Sequence, residues 1–127
     1  MNQEELNEKI KELKIEDFIW IVYIGIIVLS WYSNHLERKY FVFNDLISKE
    51  KYRKSLLIIF SILIVVYLYF LKSSWEDIKN IKPTDSEKRK SLIYLSFIAS
   101  LLIAISGFIF LYIAYVDENI DVELAFN

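Results

Sequence analysis

The sequence predicts an all-α fold: an integral membrane three-helix bundle with an amphipathic N-terminal helix and extramembrane helical extensions, in a single membrane domain over residues 1–127. Two observations predict it. Of 127 residues, 55% are hydrophobic and 25% are charged, and the two classes are segregated along the chain. Residues 18–33, 55–71 and 91–116 form runs of 16, 17 and 26 without one Asp, Glu, Lys, Arg or His. The second observation is that Ile, Leu, Val and Phe cover every face of each run, where a soluble bundle needs a polar residue every third or fourth position.

A bilayer core about 30 Å thick requires roughly 20 apolar residues at about 1.5 Å each, with about 17–25 tolerated. Spans are therefore expected over about residues 17–35, 55–72 and 91–116. Trp20, Trp31 and Tyr32, then Tyr67 and Tyr69, then Tyr94, Tyr112 and Tyr115 lie near the ends of the runs. That is where an aromatic ring is buried while its polar atom stays wet. The acidic segment before the first run, and the lack of a small-residue cleavage site after it, mark that run as a retained span rather than a signal peptide.

Residues 1–17 place Leu6, Ile10 and Leu13 on one stripe of an amphipathic helix surrounded by Glu and Lys. With six acids against three lysines, this helix is better suited to packing on the protein's own loops or on a partner than to an anionic lipid surface. Residues 34–54 read as a first loop holding the apolar cluster Tyr40, Phe41, Val42 and Phe43, with Asn44 or Asp45 capping the second helix. In the second loop a short helix is expected from Trp75 to Ile81, ended by Pro83. Thr84-Asp85-Ser86-Glu87 has capping-box spacing, so the third helix should start near Asp85. In the acidic tail, residues 117–127, Ile120, Val122, Leu124 and Phe126 alternate with polar residues as in an extended strand.

Lys and Arg number nine in the N-terminal segment and second loop, against six in the first loop and tail. By the positive-inside rule the N-terminus and second loop are cytoplasmic and the tail lies outside a cell membrane. Abundant Ile, Lys, Tyr and Phe with only two Gly and one Pro are the bias of an AT-rich, bacterial genome.

Chemistry-bearing residues are sparse. No ionisable residue lies within a span, where such groups usually mark ion or proton pathways. With no Cys and a single His, His35 at a span boundary, neither a zinc nor an iron site is expected. Asp117, Glu118, Asp121 and Glu123 lack the spacing and glycine of a calcium loop. No catalytic residue, cofactor or metal is assigned, and a net charge of −2 without a basic excess gives no nucleic-acid partner. The strongest constellation concerns packing. Ser96, Ser100, Ala104 and Gly107 form a small-residue stripe on the third helix, and Gly25 on the first span is the facing site. Such residues let helix backbones approach closely in lipid, within the bundle or along a homo-oligomeric seam.

The function expected is that of a non-enzymatic, partner-binding or regulatory membrane subunit. The alternative is a small oligomeric channel or membrane-permeabilising protein of holin-like or toxin-related type. The partners expected are the lipid bilayer and either a membrane protein or further copies of the chain.

Overall fold

The computed structural model describes residues 1–124, which form three helices and no strand: α1 Gln3–Phe43, α2 Leu46–Lys79 and α3 Glu87–Val116. Apolar stretches of α2 and α3 reach a mean hydropathy of 2.4 and 2.5, and both helices are long and apolar enough to cross a membrane. At 41 residues, α1 extends for about 60 Å, twice the thickness of a bilayer core.

The helix ends have local causes. The Asn2 side chain accepts from Glu5 N–H at 2.8 Å, and Glu4 and Glu5 lie in the positive first turn of α1. The segment expected as a first loop is instead helical almost throughout. No Gly or Pro interrupts residues 34–43, so α1 continues to Phe43 and stops where Asn44 takes a left-handed conformation, φ 52°. Asn is among the few residues that tolerate this geometry. Asp45 then caps α2, its carboxylate accepting from Ile47 N–H at 3.1 Å, Ser48 N–H at 3.4 Å and Ser48 Oγ at 2.9 Å. The Ser48 hydroxyl, followed by the backbone donors, holds this carboxyl below the ordinary range.

The short helix expected from Trp75 to Ile81 is absorbed into α2, because nothing between Leu71 and Lys79 breaks the helix. The capping box also shifts. Asp85 accepts from Lys82 N–H at 2.8 Å and lies 3.4 Å from the Arg89 guanidinium, leaving Ser86, not Thr84, to cap α3 through Arg89 N–H at 3.1 Å.

The three helices do not close on one another. α2 packs antiparallel against both neighbours, while α1 and α3 have no direct helix-to-helix packing among the described residues. The three helices thus form an open row with α2 at its centre. Burial follows this order: α2 buries ten residues, including Tyr52, Leu56, Ile59, Phe60 and Leu63, whereas α1 and α3 bury three each.

Near Asn44, side chains of all three helices share one core under the tail. Leu124, 4% exposed, sits in one core with Leu36 of α1, Tyr52 and Leu56 of α2, and Ala114 of α3. The alternating residues of the tail form a turn, not an extended strand. The Asp117 carboxylate takes Asp121 N–H and Val122 N–H, each at 2.9 Å, and Ile120 has φ 56°. A lone short strand has no ladder to satisfy its amides, and here a carboxylate does so instead. Phe126 lies outside the described residues.

Candidate functional site: a cleft along the central helix

A cleft runs along α2, walled by both outer helices toward the second loop and by α1 alone farther along. It has two compartments. Toward the second loop, a cavity of about 310 Å³ is lined by Tyr23, Tyr67, Ser73, Ser74, Ser96 and Ser100, with Phe70, Ile103 and Asp77 completing it. Deeper along α2, an apolar trough of about 460 Å³ is lined by Trp20, Ile26, Ile27, Ser30 and Leu63. Tyr23 and Tyr67 line both compartments and mark their junction.

Each flank of α2 carries one hydroxyl pair. Ser33 of α1 lies 2.6 Å from Ser55 of α2, and Ser33 is 0% exposed. Ser33 Oγ also lies 2.9 Å from Leu29 O, and Ser55 Oγ 2.7 Å from Tyr52 O. Two hydroxyl protons serve these contacts, so one serine donates to its own helix while the other donates across the seam. On the opposite flank Ser74 Oγ lies 2.9 Å from both Phe70 O and Ser100 Oγ. There Ser74 donates back to α2 and Ser100 donates to Ser74.

The small residues picked out on α3 divide between two environments. Ala104 and Gly107 are buried. A Cβ added at Gly107 would meet Tyr67 Cδ2 at 3.0 Å and Ile64 Cγ1 at 3.3 Å. Ser96 and Ser100 instead line the polar cavity. Gly25 does not face this stripe: it is exposed, and nothing lies within 4 Å of where its Cβ would be. α1 touches α2 through Ser33, whose Oγ lies 2.6 Å from Ser55 Oγ, and Gly25 falls on the outer side of the helix. Ser33, Ser55 and Ser74 went unrecognised as packing groups because each sits at or beyond the edge of a charge-free run, where it reads as part of a span exit.

The closed end is electrostatically organised. Arg53 donates through Nη2 to Tyr115 O at 3.0 Å, satisfying a terminal carbonyl of α3, and Lys49 Nζ lies 3.4 Å from Asn119 Oδ1. A cavity of about 10 Å³, the size of one water, lies among Tyr52, Arg53, Ala114, Asp117 and Leu124, and Arg53 Nε is buried there without a hydrogen-bond partner. Asp117 is held below the ordinary carboxylate range first by the Asp121 N–H, then by the Val122 N–H and the positive charges of Arg53 and Lys49. Glu37 moves the other way. Partial burial raises it, and nearby Glu123 adds to the rise, against the lowering effect of the Tyr52 hydroxyl. Among the described residues no three of His, Cys, Asp and Glu come together in a metal-binding group.

No protein-family model, curated protein or solved structure matches this chain.

Proposed function

We propose that this chain is a multi-pass membrane protein in which α1, α2 and α3 each cross the bilayer, acting without catalysis as a partner-binding or regulatory subunit of a membrane assembly. Support for the bilayer comes from the outward surface. Phe18, Ile21, Ile24, Val28 and Trp31 of α1 stand exposed beside Leu95, Leu102, Ile105, Phe108 and Ile109 of α3, an apolar surface too extensive for water. The orientation that agrees with the Lys and Arg balance has the N-terminus and second loop in the cytoplasm of the cell and the tail outside.

The observation that carries partner binding is the state of the N-terminal stripe. Leu6, Ile10 and Leu13 are 42%, 43% and 46% exposed, so the amphipathic end of α1 is not covered by the protein's own loops. It offers the i, i+4, i+7 anchors of a helix that docks on another protein. The oligomeric-channel alternative would use the small-residue stripe of α3, its serines included, as a seam between copies. The bond from Ser100 to Ser74 turns one of those serines inward and favours the subunit reading.

A photo-crosslinking residue at position 10, activated in intact native membranes, should give a discrete adduct heavier than the chain. Leu6→Glu with Leu13→Glu should abolish it. Absence of any adduct at positions 6, 10 and 13, with the chain migrating as a monomer, would overturn the reading. Reporter fusions after Pro83 and Asn127 test the orientation, and a cytoplasmic C-terminus would reverse it.

A further inference from the structure

We propose that the cleft is a lipid site for a monoacylglycerol-type amphiphile, with one acyl chain and an uncharged, polyhydroxyl head. This goes beyond partner binding and rests only on the membrane part of that reading. The cleft's polarity is graded along α2. The hydroxyl-lined compartment, which follows α2 from Tyr67 to Asp77, lies on the second-loop side, and the trough beside Ile27, Ser30 and Leu63 lies toward the middle of α2. A lipid in one leaflet has the same gradient, with its head at the surface and its chain toward the midplane. The two compartments, 310 and 460 Å³, fall within the about 300–1,000 Å³ of small-molecule sites.

The head chemistry follows from the lining. The side-chain hydroxyls of Tyr23, Tyr67, Ser73 and Ser96, residues that line this cavity, bond no described residue, and each group can both donate and accept. A glycerol-like head both donates and accepts. Asp77 is the one charged residue of the lining, so its carboxylate accepts from a hydroxyl head and repels a phosphate or carboxylate. Unpaired polar groups facing hydrocarbon are costly, which favours a lipid head over an acyl chain in this compartment.

The full-length chain in dodecylmaltoside micelles, with Trp31→Phe and Trp75→Phe, retains Trp20 in the trough as sole fluorophore. Monoacylglycerol with a dibrominated chain should quench it saturably at low mole fraction, whereas the dibrominated fatty acid and long-chain amine should quench only in proportion to their micellar concentration. Tyr23→Phe with Tyr67→Phe should weaken the saturable binding about tenfold. Ser30→Phe, which fills the trough without touching a head contact, should abolish it. Equal, non-saturating quenching by all three probes would overturn the proposal, and so would saturable binding unaffected by both sets of substitutions. Saturable binding of the amine or fatty acid in preference would overturn the head assignment. Carbonate extraction separates the two readings: release of the chain from membranes defeats the membrane reading, while retention without saturable quenching defeats the lipid site alone.

Discussion

The two flanks of α2 are built from similar apolar residues and pack differently. Toward α3, Ala104, Gly107 and Ala114 are buried, and Gly107 brings the α3 backbone against the Tyr67 ring and Ile64. Toward α1, the only glycine faces away with open space around it, and the fully buried small residue is Ser33 near the hairpin end. In lipid, apolar side chains gain little by leaving hydrocarbon for one another, so close packing depends on where the small residues fall. The α3 flank has them from Ala104 to Ala114, and the α1 flank has the Ser33–Ser55 pair near the hairpin end. The cleft lies where the α1 side lacks them.

The contrast is most sharply broken at the two glycines. Gly107→Leu should lower stability by about 3 kcal/mol, because the added side chain has to displace Tyr67 and Ile64, whereas Gly25→Leu should stay within about 0.5 kcal/mol. Denaturation in mixed micelles measures both, and equal effects would erase the difference between the flanks. At the closed end, Leu124→Ala should cost about 2 kcal/mol and expose the tail to protease, since Leu124 holds the three helices together there. Ser33→Ala and Ser74→Ala should each cost about 0.6 kcal/mol, with coupling to Ser55 and Ser100 respectively in double-mutant cycles. Absence of coupling would reduce the hydroxyl pairs to bystanders.

The smallest effect is a pH dependence confined to the closed end. Glu37 has a raised folded pKa, so its ionised form weighs against folding at neutral pH, and that penalty disappears as pH falls through its folded value. Asp117 has a lowered folded pKa, so its contribution is complete above the unfolded value and is lost as pH falls through the folded one. Tail protection in hydrogen exchange should therefore first rise slightly and then fall on acidification, and Asp117→Asn should remove the fall.

The helical class and the apolar runs of α2 and α3 were legible because charge segregation is a property of composition along a line. The cap at Asp45 was legible because the chemistry is local. The length of α1 was not. Tyr40, Phe41, Val42 and Phe43 form a cluster too short to span, and without a Gly or Pro to break the chain the helix simply continued. The packing of Gly107 could be anticipated from spacing, but its counterpart could not, since spacing fixes which residues share a face without fixing which face turns inward. Gly25 illustrates this. The place of Leu124 was not legible for a related reason: alternation along the tail carries no sign of the amides that Asp117 captures, and those make the turn.

The two-residue turn at Asn44 and Asp45 has a consequence for how the chain sets its own alignment. Ser33 stands eleven positions before Asn44 and Ser55 ten positions after Asp45, so both hydroxyls lie about 15–16 Å from the tip. The hairpin works as a calliper with arms of matched length. One residue inserted into either arm would rotate its distal portion by about 100° and carry one serine away from the other. A longer turn would let the arms slide, whereas here the shortness of the turn and the position of the hydroxyl pair specify the same register twice.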